Sequence, residues 1–423
     1  MRTPAAILTV AVGVALAAGP APALAASWSA PRAATAAGTA SPPSVAVDAR
    51  GRLAMGWVRT IGDRRRAEVR HGTLRGRLRS RAIVLDATAH NLDAVSVAFT
   101  ADGVLAAVWR RYLDRAQRLR GATVSTGGST SGPFDLTPFG RESAYEPAFV
   151  TGPGGSLRIT WTRRTTSAGE AVLGTAFGAP FTLPAPGIGS QPDVAVDPDG
   201  TTVVAWVQGG RVFAAQAPAG GAFTAPAQIS AGGVTRSPQL TVTDDGDVVA
   251  VWLSSAGQGN AVDVAVRPRA GAFGPASQVV EPAQAAFEPR LASTSVGEVL
   301  LAFISTNSPN GFAGGRGVVR LQRLGRDERP VGGALTLSPA GVRASAPAIV
   351  HDGAAGAFVA WTDTGSGHNT VQVRRIVPGG ILGPVRTLAR GAAGTTTPVL
   401  AGVNGQAVAA WLGGGDVRYS VYR

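Results

Sequence analysis

The chain has 423 residues, 45% of them hydrophobic and 15% charged, which is enough apolar material for a large core and excludes a disordered chain. Its 57 glycines and 29 prolines favour many short strands and turns over long helices. The 39 basic residues are all arginine and leave a net charge of +13, which favours anionic partners, while the absence of cysteine excludes disulfides, thiol catalysis and lipoprotein attachment.

In chain order, residues 1–25 read as a secretory signal peptide. Arg2 precedes an apolar stretch from Ala5 to Ala18, and Ala23-Leu24-Ala25 is a small-residue site that predicts cleavage after Ala25. No stretch reaches the roughly 18 unbroken apolar residues of a membrane span, so no transmembrane segment is expected after cleavage. Residues 26–423 read as one domain.

That domain is built on a repeat, clearest in Pro192 to Trp206, PDVAVDPDGTTVVAW. Val194 and Val196 alternate with small or polar neighbours, Asp197-Pro-Asp-Gly supplies turn chemistry, and Val203 to Val207 form a second apolar run: strand, tight turn, strand. The pattern recurs from Pro43 to Trp57, Val95 to Trp109, Pro147 to Trp161, Pro192 to Trp206, Pro238 to Trp252, Pro289 to Phe303, Pro347 to Trp361 and Pro398 to Trp411, eight copies spaced by 45 to 58 residues. Gly51, Gly103, Gly155, Gly200, Gly246, Gly297, Gly356 and Gly405 mark the turns. After Trp252, AVDVAVRP reads as a third strand and GAFGPASQVV as a turn into a fourth. Four antiparallel strands repeated at this period predict the blades of a β-propeller.

The eighth copy ends at DVRYSVYR and lacks a fourth strand. Ser27-Trp28-Ser29-Ala30-Pro31-Arg32 matches Phe223-Thr224-Ala225-Pro226 and is expected to supply it, closing the ring without disulfides. The aromatic residue ending each second strand is expected to fill the space between neighbouring sheets, and Ala46, Ala195 and Ala292 the narrow space near the axis.

Loops entering each first strand and leaving each second strand should share one face, and function is expected there. The first set includes Asn91, Asp93, Tyr145, Glu146, Gln191, Arg236, Phe287 and Glu288; the second includes Arg59, Arg110, Arg111, Arg163, Arg164, Asn307 and Asp363. Arginine pairs bidentately with carboxylate, sulfate or phosphate, so Arg59, Arg110, Arg111, Arg163, Arg164 and Arg236, with Tyr145 and Phe287, are the candidate ligand-binding residues. The other reading has these arginines salt-bridged to their own neighbours. Glycoside hydrolysis needs two carboxyls about 5 to 10 Å apart, for which Glu146, Glu288, Asp93 and Asp363 are candidates. Tyr145 and Glu146 are adjacent and in an extended segment would point to opposite sides. His71, His90, His351 and His368 show no metal-ligand spacing, and Asp197-Pro-Asp-Gly and Asp244-Asp-Gly-Asp read as turns, so no metal and no cofactor is expected. The arginine-dense stretch from Arg59 to Arg81, with only Asp63 and Glu68 against it, continues from Arg110 to Arg120. It reads either as a basic stripe for an anionic polymer or lipid headgroups or as the solvated faces of strands; no nucleic-acid motif accompanies it.

The repeats resemble those of secreted bacterial eight-bladed β-propellers, and their Gly-turn and Trp pattern is distantly similar to sialidase-type propellers. The sialidase Asp-box, Ser-x-Asp-x-Gly-x-Thr-Trp, is absent. The resemblance implies an arginine trio, a Tyr assisted by a Glu and an acidic Asp, a set that does not map residue by residue onto this chain. The sequence thus predicts an all-β, single eight-bladed β-propeller of four-stranded antiparallel blades, closed by the N-terminal strand. It predicts a secreted, monomeric binding module for an acidic glycan or other anionic extracellular polymer, with no nucleic-acid partner. The alternatives are a sialidase-like glycoside hydrolase and a protein-interaction scaffold without catalysis.

Overall fold

The computed structural model describes residues 26–35, 39–113, 116–137, 143–153, 156–164, 169–175, 181–183, 189–256, 259–282, 285–306, 317–339, 343–353, 356–364, 369–391 and 398–423. The expected signal peptide, Gly155, Asn307 and His368 lie outside them. Among the described residues the chain is all β: strands form eight antiparallel sheets of four or five strands, and no helix is long and apolar enough to cross a membrane.

The fourth sheet shows how the repeat folds. Gly189–Val196, Thr202–Gln208, Arg211–Ala217 and Ala227–Gln228 pair in chain order. The turn between the first two strands is held by its own first residue: Asp197 accepts N–H bonds from Asp199 (3.0 Å) and Thr201 (2.9 Å). Asp48 receives the N–H groups of Arg50 and Arg52 in the same way, and the Oγ1 atoms of Thr100, Thr243 and Thr294 those of Val104, Asp247 and Glu298. These are side-chain-capped turns, in which a short acceptor replaces a backbone partner. Gly200 sits at φ 81°, where only glycine is unstrained. In the seventh copy the left-handed glycine is Gly353 (φ 74°), not the Gly356 that the spacing suggested.

The aromatic residues expected to end the second strands sit at their fifth or sixth position, two to four residues before the end, and each packs against the preceding sheet. Trp109 lies in a core shared by the first and second sheets, Trp252 in one shared by the fourth and fifth, and Phe303 in one shared by the fifth and sixth. Trp57 packs with Val408, Ala410 and Val417 of the last sheet. All seven tryptophans and Phe303 are at most 2% exposed, so each contributes roughly 4–6 kcal/mol of burial at most. The first strands also meet in order, each against the next, from Ser44–Val47 round to Val399–Val403, which in turn lies against Ser44–Val47. Arg32–Ala33 pairs antiparallel with Asp416–Tyr422, Arg32 opposite Tyr419, as the fourth strand of the last sheet.

Candidate functional site

The predicted face is shaped by a recurrent bulge. Pairing between first and second strands skips between Asp93 and Ser96, Tyr145 and Ala148, Ser190 and Asp193, Arg236 and Gln239, Phe287 and Arg290, and Ser345 and Ala348. Glu146, Gln191, Ser237 and Glu288, each immediately before proline, take left-handed φ values of 49°, 53°, 54° and 50°. That conformation costs a non-glycine residue about 1–2 kcal/mol, and a following proline disfavours it further. Hydrogen bonds between sheets offset the strain. The Glu146 carboxylate accepts from Thr162 Oγ1 (2.9 Å) and from the N–H of Gln191 (2.8 Å), and Gln191 Oε1 accepts from the N–H of Ser237 (2.7 Å). Glu146 is therefore left-handed and not extended as expected; its carboxylate reaches the next sheet, while Tyr145 lies beneath the Arg164 guanidinium, 4.9 Å from it, so the two side chains have different partners.

Most of the remaining residues singled out in the sequence are occupied by the protein itself. Arg59 donates to Glu68 (3.1 Å), a carboxylate 2% exposed that also receives the Trp57 indole N–H. Arg110 grips Asp93 with two bonds of 2.7 and 2.9 Å. Arg111 lies 3.6 Å from Asp86, which also accepts from Trp109 and Arg120. Arg236 donates to Asn260 (2.7 Å), Arg163 stands opposite Ala144 in the sheet, and Phe287 packs into the core between the sixth and seventh sheets. Asp363 is buried at the end of Ala357–Asp363, and Glu288 sits on its bulge. Two of the four candidate carboxylates, Asp93 and Glu146, are thus held by protein donors, and a third is buried.

Asp193 is an acid that the sequence reading passed over. It stands immediately after the proline, a position that the other copies fill with Ser44, Ser96 (after Val95), Ala148, Gln239, Arg290, Ala348 and Val399. Its carboxylate accepts the N–H of Leu240 from the next sheet at 2.7 Å. Burial raises its pKa to about 6, against the opposing pull of the Leu240 and Val194 N–H groups and the Arg290 charge.

A cluster of exposed arginines lies elsewhere, on the loop that follows Arg64–Thr73, where Arg79 also donates to the carbonyls of Gly127 (3.3 Å) and Thr126 (3.4 Å). Leu74 (1% exposed) and Leu78 (8%) anchor this loop in the core shared by the last and first sheets. Their neighbours Arg75, Arg77, Arg79 and Arg81 are thereby left exposed, and none forms an ion pair among the described residues. Arg70 holds the loop from beneath, donating to the carbonyls of Arg79 (2.8 Å), Ser80 and Ala34. Gly72 lets the loop fold back, since a Cβ there would sit 2.3 Å from the Arg77 carbonyl oxygen. Below it, burial and then the Arg79 charge lower the His71 pKa. The N–H of Leu74 bonds the carbonyl of Gly51, so the loop lies at the turn end of the sheets, opposite the face the sequence favoured.

No protein-family model and no curated protein sequence matches the chain. Among solved structures it is similar to a polysaccharide lyase, an ulvan lyase bound to -[GlcA(1-4)Rha3S]-, at 11% identity over 76% of this chain and 90% of that one, with a TM-score of 0.50. It is also similar to puromycin hydrolase, at 15% identity over 88% of this chain and 58% of that one, with a TM-score of 0.51. At these identities the likeness concerns the fold: the chain is a propeller-like all-β protein.

Proposed function

We propose that residues 26–423 form an eight-bladed β-propeller, closed by the N-terminal strand, that is exported and binds an anionic glycan or similar extracellular polymer as a monomer. The cyclic order of first-strand contacts and the pairing of Arg32–Ala33 with Asp416–Tyr422 support the closed ring. One observation carries the binding reading: four exposed arginines, Arg75, Arg77, Arg79 and Arg81, on one loop that two leucines pin in place and no described carboxylate neutralises. Guanidinium groups so displayed suit repeated carboxylate or sulfate groups better than a single small ligand. On the opposite face Arg59, Arg110 and Arg111 are already committed to Glu68, Asp93 and Asp86. The test is binding of the purified chain to immobilised polygalacturonate and to dextran sulfate over a salt series. Retention that weakens steadily with salt is expected, and salt-independent or absent retention on both would overturn the reading.

A further inference from the structure

A cavity of about 610 Å³ opens where the N-terminal segment meets the seventh sheet, within the size range of pockets that take small ligands. Three aromatic rings form its inner corner. Trp28 meets Phe358 edge-on at 5.4 Å and 80°, Trp28 meets Tyr422 at 5.6 Å and 57°, and Phe358 lies 4.7 Å from Tyr422. Parallel walls would select a flat aromatic ligand, whereas an angled corner offers ring faces to the C–H groups of a puckered ring and leaves its hydroxyls toward solvent. Two guanidinium groups line the same cavity. Arg375 is fixed by Asp352 (2.9 Å) and the Tyr422 hydroxyl (3.3 Å), and its Nε is shielded from solvent without a hydrogen-bond partner. Arg386 is exposed and has no ion pair among the described residues.

We infer that this cavity binds one acidic pyranose, of the uronic acid class, stacking its ring on Trp28 and directing its carboxylate to Arg386. The inference rests on the anionic-polymer reading for its ligand, because the cavity and the arginine loop flank the same terminal segment. The N–H of Ser27 bonds the carbonyl of Arg423, and the Arg423 guanidinium donates to the carbonyl of Arg75 at the start of that loop. The cavity takes one residue of a chain that the loop holds by charge.

Trp28 reports on its own site. It is half-buried, and the other seven tryptophans are at most 2% exposed, so an added ligand changes intrinsic fluorescence through Trp28. Trigalacturonate is expected to give a saturable fluorescence change that maltotriose does not, and a matching calorimetric isotherm. Arg386→Gln should weaken it about ten-fold, the loss of one charge-assisted bond, and Trp28→Ala about three- to ten-fold by calorimetry, the loss of a stacking partner. The arginine-loop variant R75Q/R77Q/R79Q/R81Q should keep trigalacturonate affinity while losing polymer retention. Polymer retention by the parent chain without trigalacturonate binding would overturn the pocket alone, and trigalacturonate binding without polymer retention would overturn the loop alone. Equal binding of maltotriose, or unchanged affinity in Arg386→Gln, would overturn the acidic-sugar assignment.

Discussion

Arg267 and Asp197 form an ion pair between the fifth and fourth sheets at 3.0 Å, with side chains 2% and 0% exposed. Asp197 also caps its own turn through two N–H groups, and Arg267 donates its Nε–H to Gln216. Replacing Arg267 by Met keeps most of the side-chain volume but leaves a carboxylate buried with only the two turn donors. Breaking a buried pair from one side typically costs about 3–5 kcal/mol, so Arg267→Met should lower stability by about that much. Two residues on, Arg269 makes a paired contact with Asp199 at 2.7 and 2.5 Å, but both groups stand in water. Screening makes such pairs weak, so Arg269→Met should move the unfolding midpoint far less despite its better geometry. The double variant R267M/D197N should recover part of the loss by removing the stranded charge. Urea unfolding followed by tryptophan fluorescence reads all three. Equal costs for Arg267→Met and Arg269→Met, or no recovery in the double variant, would refute the claim that burial decides the strength of these clasps.

The raised pKa of Asp193 has a definite sign. Because the folded state holds this proton more tightly than the unfolded chain, its contribution is fully present below about pH 4 and is lost as pH rises toward 6. Asp193→Asn, which keeps an acceptor for Leu240, should flatten stability across that window, and parallel pH profiles for parent and variant would contradict it. Gly72→Ala changes no charge but forces a methyl against the Arg77 carbonyl, so it should reduce polymer retention by displacing the loop; unchanged retention would separate loop shape from binding. His71 should titrate below the ordinary histidine range and move upward in Arg79→Gln, as followed by its imidazole NMR resonances, because the Arg79 charge is one of the two causes of its lowered pKa. An unshifted titration in that variant would remove Arg79 from the account.

Features fixed by local chemistry were legible in the sequence. The turn acceptors at Asp48 and Asp197 bond N–H groups two and four residues on, so residue type and spacing are sufficient to read them. The aromatic of each second strand recurs at the fifth or sixth strand position, and its burial follows from size and repetition, Phe303 included. The N-terminal stretch announced its pairing with Asp416–Tyr422 through its likeness to Phe223 to Pro226. Features set by register and by contacts between sheets were not legible. Arg110 meets Asp93 because they are cross-strand partners, and Arg111 and Arg120 meet Asp86 across a boundary between sheets, so several apparently free arginines proved to be neutralised. The bulge at Glu146 defeated the two-residue alternation rule, because a left-handed residue before proline has no local sequence signature. The density of arginine from Arg59 to Arg81 was plain, but which of them face solvent depends on Leu74 and Leu78 anchoring the loop.

The binding claim is tested most directly by comparing the parent chain with R75Q/R77Q/R79Q/R81Q on immobilised polygalacturonate as salt is raised. If the loop is the binding surface, the variant should elute at much lower salt with at most a small fall in melting temperature, since its altered side chains make no described ion pair and lose only the two long, exposed bonds from Arg79 to the carbonyls of Gly127 (3.3 Å) and Thr126 (3.4 Å). Elution of both proteins at the same salt would contradict the account and return the anion-binding role to the rest of the surface.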